Sequence, residues 1–210
     1  MIRTLSFTAV TFTAVLLGSD LAVGKRAYEK GDYATALKEL LPVADQGDAQ
    51  ALYLVGSMVF EGKGVSQDKR KGAVLLQLAA REGYAEAELR LATMYQSGDG
   101  VPKRTDNFLY WNRRAAEHGL PLAQIGMGVL SWTGEVGSKD RVQAYMWFSL
   151  CSASGDVFRG DLKIGDVCAK SRNVLVREMT QDQIDEAKQR TKDWNGQNSV
   201  REDDSNPKRK

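Results

Sequence analysis

Histidine, cysteine and proline are scarce in this chain of 210 residues, at 1, 2 and 4 copies, and each shortage removes a class of chemistry. A zinc site needs several nitrogen or sulfur ligands, and His118, Cys151 and Cys168 are the whole supply. No metal is expected. His118 ends a helix-like segment, where an imidazole suits the negative end of the helix dipole, so a surface role is expected for it. No nucleophile elbow accompanies it, which argues against Ser–His catalysis. The two cysteines lack the Cys-x-x-Cys spacing of dithiol redox centres. Gly62-x-Gly64 and Gly98-x-Gly100 follow no strand and are read as loop glycines, not a phosphate cradle. No cofactor is expected. Lys and Arg number 29 against 27 Asp and Glu, and so balanced a charge gives no argument for a nucleic-acid partner.

Long apolar runs are also missing, since a membrane-spanning helix needs about 20 such residues. The longest, Leu5–Leu17, follows Met1-Ile2-Arg3 and has the form of a secretory signal. Residues 1–24 are expected to be that signal, with the small residues of Ala22-Val23-Gly24 placing cleavage after Gly24. No cysteine lies near that point, so no lipid anchor is expected. The mature chain is expected to be exported, monomeric and without a membrane span. Export would put Cys151 and Cys168 in an oxidising compartment. Both fall on the expected core faces of successive helices, and a disulfide between them is favoured over two free buried thiols.

What the chain has in abundance is a repeat. Glycines recur every 36 residues at Gly47, Gly83, Gly119 and Gly155, and again at Gly62, Gly98 and Gly134. The units are residues 49–84, 85–120 and 121–156. The first helix of each carries a stripe at Ala51/Ala87/Ala123, Val55/Leu91/Met127, Gly56/Ala92/Gly128 and Val59/Tyr95/Ser131, spaced for a helix and not a strand. A glycine-broken loop follows, and Asp68 and Asp140 are placed to cap a second helix. In the middle unit Arg104 takes that place, and Thr105 or Asp106 is expected to cap instead. The second helix brings Leu75/Trp111/Trp147 and Ala79/Ala115/Cys151 to one face and stops at the next glycine. One helix pair cannot bury both its faces, so the pairs must stack.

The pattern Ala-x-x-x-(apolar)-Gly-x-x-Tyr-x-x-Gly-x-Gly-Val, then a helix with Trp and Ala-Ala, then Gly, resembles the Sel-one-like repeat, a relative of the tetratricopeptide repeat. The middle unit carries it best, with Ala87, Leu91, Ala92, Tyr95, Gly98, Gly100, Val101, Trp111, Ala115, Ala116 and Gly119. The third unit departs at Val136-Gly137, the first has Leu75 for the aromatic, and Phe108 replaces a small residue. The resemblance implies an all-α, right-handed α/α solenoid over residues 25–194 and a bacterial, periplasmic or secreted setting.

The ends are read as caps. Residues 25–48 form an opening half-unit with Asp32 as an N-cap. Residues 157–194 close the stack, with one helix over Leu162–Glu178 that turns Ile164, Val167, Cys168, Val174 and Leu175 inward. A capping box at Thr180-Gln181-Asp182-Gln183 then starts the last helix. The composition of residues 195–210 predicts a disordered tail.

The favoured function is an adaptor or scaffold for protein partners, with no catalytic residues. The stacked first helices would present a concave surface to a protein segment. Its variable positions are Gln50/Glu86/Leu122, Leu52/Glu88/Gln124, Leu54/Arg90/Gly126 and Ser57/Thr93/Val129. Trp132 and Tyr110 lie off the core stripe and are candidates for exposed contacts. A rival reading is an envelope hydrolase, or a β-lactam- or peptidoglycan-binding protein, through Ser66-Gln67-Asp68-Lys69. That Ser-x-x-Lys tetrapeptide lacks its companion motifs and sits where a loop and N-cap already explain it. A third reading is a structural envelope component without a discrete ligand.

Overall fold

The computed structural model describes residues 20–155 and 157–204. Eight helices come in pairs: α1 (Leu21–Glu29) with α2 (Tyr33–Asp45), α3 (Ala49–Glu61) with α4 (Lys69–Arg81), α5 (Ala85–Ser97) with α6 (Thr105–Glu117), and α7 (Pro121–Thr133) with α8 (Arg141–Ser152). A short hairpin, β1 (Phe158–Arg159) with β2 (Leu162–Lys163), then leads into α9 (Ile164–Leu175), a 3-10 turn (Val176–Glu178) and α10 (Gln181–Asp204). Each helix packs mainly on its neighbours in sequence, while α9 and α10 both return to α8. This is an all-α solenoid.

Local chemistry sets most boundaries. The carboxylates of Asp32, Asp48, Asp68 and Asp140 accept from the backbone N–H three residues on, capping α2, α3, α4 and α8. The side chain of Arg104 caps nothing, and neither Thr105 nor Asp106 replaces it, because α6 begins at Thr105. The first helices α3, α5 and α7 end on Gly62, Gly98 and Gly134 in the left-handed conformation that side chains resist. The capping box of α10 is formed: Gln183 N–H donates to Thr180 Oγ1 at 3.3 Å, and Thr180 N–H donates to Gln183 Oε1 at 3.0 Å.

The core follows the repeat. Ala51, Ala87, Ala92, Ala79, Ala115 and Ala123 are fully buried, with Leu91, Met127, Trp111 and Trp147 around them. Three readings of the ends need correction. Leu162 and Lys163 pair with β1 as a strand, so the helix there starts at Ile164. Val174 faces solvent at 46% exposure, while Ile164, Cys168 and Leu175 are buried as expected. The last helix continues to Asp204, past Asn195 where the composition predicts order to fail. The rest of the predicted tail, 205–210, lies outside the described residues.

The predicted signal lies mostly outside them too, but its expected end does not. Asp20 caps α1 by accepting from Ala22 N–H at 2.7 Å. Gly24 is buried within α1, so tightly that a β-carbon there would lie 2.6 Å from Leu40 Cγ. Cleavage after Gly24 would remove the first turn of a packed helix. Among the described residues no helix is long and apolar enough to cross a membrane.

Candidate interaction face

The first helices of the repeats line one face of the stack. Positions four and seven residues apart along α5, Glu86, Arg90 and Thr93, reach it together with Leu89, and α7 adds Leu122, Ile125, Gly126 and Val129. This is a helical stripe at i, i+3, i+4 and i+7. An open, mainly apolar cavity of about 630 Å³ lies between α5, α6 and α7. A smaller one of about 260 Å³ adjoins it through the shared walls Leu89, Thr93 and Leu122 and reaches Tyr53, Glu86 and Arg90.

The structure sorts the sequence-predicted positions. Glu86 and Thr93 are exposed, and Gln50 and Arg90 half-buried on this face. Leu52, Glu88 and Gln124 are buried and point away from it. Glu88 and Gln124 are therefore corrected from partner contacts to internal groups. Position 53/89/125 takes their place, as Tyr53, Leu89 and Ile125. Leu54 and Ser57 are also buried, so the first repeat offers less of the face than the second and third. Trp132 is half-buried: its ring meets Phe148 edge-on at 6.1 Å and its Nε1–H donates to Glu178 Oε2 at 3.4 Å. Tyr110 is 53% exposed, as expected, but on α6 away from this face.

Charge on the face is largely committed. Arg90 pairs with Glu61, whose other oxygen is 2.8 Å from Lys63 Nζ. Burial pushes the Glu61 carboxyl up, but Lys63 and Arg90 outweigh it and hold the group below its ordinary value. The rings of Tyr53 and Tyr84 meet at 5.1 Å with their planes tilted by 45°, and Gln50 Nε2 donates to Tyr84 Oη at 3.4 Å. Burial, with the Glu86 carboxylate adding to it, raises both phenols above their ordinary value. Glu86 itself is in no ion pair among the described residues.

Glu88 is a buried anchor. Its Oε2 is 2.8 Å from His118 Nδ1 and its Oε1 is 2.9 Å from Arg114 Nε. His118 is thus partly exposed, as predicted, yet tied inward to α5. No cluster of metal-ligating side chains occurs among the described residues. Ser66 is exposed in the loop before the Asp68 cap, and Lys69, the first residue of α4, pairs with Asp99 at 2.8 Å. Serine and lysine therefore share no helical turn, the arrangement a Ser-x-x-Lys nucleophile requires. Cys151 and Cys168 form a disulfide joining α8 to α9.

With that geometry in place, the chain can be set beside known proteins. It is similar to the exopolysaccharide production negative regulator of Rhizobium leguminosarum bv. viciae, 27% identical over 147 residues, covering 63% of this chain and 55% of that one. It is also similar to Protein SHC1 of Saccharomyces cerevisiae, 26% identical over 137 residues, covering 63% of this chain and 26% of that one. The chain thus spans little more than half of one curated relative and a quarter of the other. Among solved structures, a Sel1 repeat protein from Oxalobacter formigenes superposes with a TM-score of 0.61 at 27% identity, covering 65% of this chain and 56% of that one. A protective antigen of uropathogenic Escherichia coli with an SLR fold gives 0.60 at 26%, covering 77% and 32%. These relatives mark a protein-interaction or regulatory scaffold, a class that is typically non-enzymatic. The Sel1 repeat matches residues 49–84, 85–120 and 121–156, the three units read from the glycine spacing, and the chain belongs to the Sel1 repeat family.

Proposed function

We propose that this protein is an exported adaptor of the cell envelope that holds an extended segment of a protein partner along the α3–α5–α7 face. The observation that carries the reading is the stripe of first-helix side chains opening onto two adjoining cavities. Such a surface is long, mostly preformed and lined by apolar groups with a few polar ones, as peptide-binding grooves are. Export is supported by the leader-like Leu5–Leu17 and by a disulfide, which persists in oxidising compartments. An exopolysaccharide regulator among the relatives fits an envelope role, as regulator or assembly factor. The protein acts as a monomer in this reading. The cap that Asp20 gives α1 supports processing before Asp20 over processing after Gly24.

Two experiments test this. Fractionation of cells making the full chain, with N-terminal sequencing of the exported form, should find it outside the cytoplasm and starting no later than Asp20. Cytoplasmic protein retaining Met1 would sink the export reading. Affinity capture from an envelope extract, scored by mass spectrometry, should return a small partner set that Glu86→Arg and Thr93→Arg lose together. Partners retained by both variants would place the interaction elsewhere.

A further inference from the structure

One second helix of the stack already carries a docked helix. α10 packs on α8, with Ala187 fully buried and Ile184, Thr191 and Trp194 half-buried on one helical stripe. Trp194 meets Trp147 edge-on at 5.3 Å and clusters with Met146 and Leu150, which keep only 8% of their surface. Glu178, just ahead of α10, pairs with Arg141, the first residue of α8, at 3.3 Å. The two helices therefore run the same way, and the incoming one brings a carboxylate to a cation at the start of its seat.

The 36-residue register places Val74 and Leu78 of α4 where α8 has Met146 and Leu150. The same columns hold Lys38 and Pro42 in α2, and Tyr110 and Arg114 in α6, so α4 alone repeats the aliphatic pair. Nothing among the described residues covers it: Val74 is 57% and Leu78 41% exposed. They lie one turn apart, on the side of α4 opposite its buried Gly72, Leu76 and Ala79. Arg70 and Lys71, four and three residues before Val74, share that side. Both are exposed and in no ion pair among the described residues. With Lys69 paired to Asp99, the starts of α4 and α6 hold Arg70, Lys71, Lys103 and Arg104 against Asp68 and Asp106. Lys69-Arg70-Lys71 puts cations at the positive end of a helix dipole, which works against α4. Stability therefore does not account for them. At the far end Arg81 and Glu82 are neighbours and offset one another.

We infer that the outer side of α4 is a second helix seat: it docks an amphipathic helix of a protein partner that runs parallel to α4 and starts with carboxylates over Arg70 and Lys71. The occupied seat on α8 is the template. There an apolar stripe at i, i+3, i+7 and i+10 covers the paired columns, and Glu178 answers Arg141 at the entry. On α4 the columns are kept, and the entry is more basic. Acidic residues at that point also suit the dipole of the incoming helix. α10 of a second copy could fill the seat only by leaving Met146 and Leu150 bare, so the occupant is a separate partner. The seat is built from second helices and does not rest on the first-helix groove.

The test puts the photoreactive residue benzoylphenylalanine in place of Val74, in the full chain and in the cells that make it. Irradiation should join it to a protein whose crosslinked peptide, read by mass spectrometry, lies in an amphipathic helix with Asp or Glu at its start. That protein is then purified and its affinity for the full chain measured by calorimetry. Val74→Glu with Leu78→Glu should weaken binding about tenfold or more. Arg70→Glu with Lys71→Glu should weaken it about three- to tenfold, and less at high salt. All four residues are exposed, and acids at the start of α4 suit its dipole, so the urea midpoint should not fall. Unchanged affinity in both double variants would overturn the inference, as would a crosslinked segment that is extended or basic at its start. So would a crosslink to no protein, to a second copy of this chain or to phospholipid, the last marking a membrane-facing patch. The crosslink should also survive Glu86→Arg, and its loss there would make this face part of the groove and not a separate seat.

Discussion

His118 Nδ1 lies 2.8 Å from Oε2 of Glu88, a carboxylate with no exposed surface at all. The second oxygen is 2.9 Å from Arg114 Nε, an ion contact without hydrogen-bond alignment. In the first repeat the same position is Leu52, also buried. The middle repeat therefore joins α5 to α6 by charge where the first uses apolar packing. Removing one member of a buried ion pair leaves the other stranded, whereas replacing the whole charge by an apolar group of similar size is often harmless. Arg114 and His118 keep 29% and 41% of their side-chain surface, so water softens the effect. Arg114→Met should cost about 2 kcal/mol, and Glu88→Leu less than about 1 kcal/mol. Urea denaturation of both variants checks this, and equal losses would show that the pair is not the linkage described.

Glu61 gives the face a pH dependence. Lys63 and Arg90 hold its carboxyl below the ordinary 4.5 in spite of burial. A carboxyl depressed by folding binds its proton more weakly in the folded chain than in the unfolded one. Its contribution is therefore present above the ordinary value and lost as pH falls through the lower folded value. The advantage of wild type over Glu61→Gln should be constant near neutrality and shrink below about 4.5. It should be small, because all three side chains keep 28–38% of their surface. Denaturation midpoints across that range, at low salt, test it, and a difference that does not change with pH would mean the pairing contributes nothing.

The disulfide secures the closing end. Cys151 and Cys168 are both fully buried and 17 residues apart. Closing a loop of that size contributes about 3 kcal/mol in the chain-entropy model. In a solenoid each unit contacts only its neighbours, so the loss should be local. Cys151→Ala with Cys168→Ala should speed amide exchange in α8, α9 and the hairpin while leaving α1–α4 unchanged. Uniform acceleration along the chain would show that the stack unfolds as one unit.

Local chemistry was the legible part of this sequence. The unit boundaries, the caps at Asp32, Asp68 and Asp140 and the Thr180–Gln183 box depend on residues within a few positions of each other. The inner stripe was legible too, because three copies of it repeat the same spacing. What failed depends on how helices from successive units meet. Glu88 looked like a surface charge because nothing near it in sequence announces Arg114 or His118. Trp132 looked exposed because the 3-10 turn that brings Glu178 to it lies far along the chain. One buried polar position falls between these cases. Asn112 is invisible within α6, but set in one column with Leu76 and Phe148 it stands out as the polar residue in a core position.

Gly72 tests how tightly a repeat closes. It lies buried in α4, and a β-carbon there would fall 2.6 Å from Phe60 Cβ and 2.7 Å from Phe60 Cα and N. Backbone atoms cannot swing aside, so α3 and α4 would have to separate. Glycine to alanine in an exposed helix normally stabilises by about 1 kcal/mol, whereas overpacking a core costs about 1–3 kcal/mol. The two effects have opposite signs, which makes the outcome informative. Gly72→Ala should destabilise by about 1–3 kcal/mol in urea. Gly137→Ala, with no atom within 4 Å of the added carbon and no positive φ, should be close to neutral. If Gly72→Ala instead stabilised the protein, the α3–α4 contact would be loose.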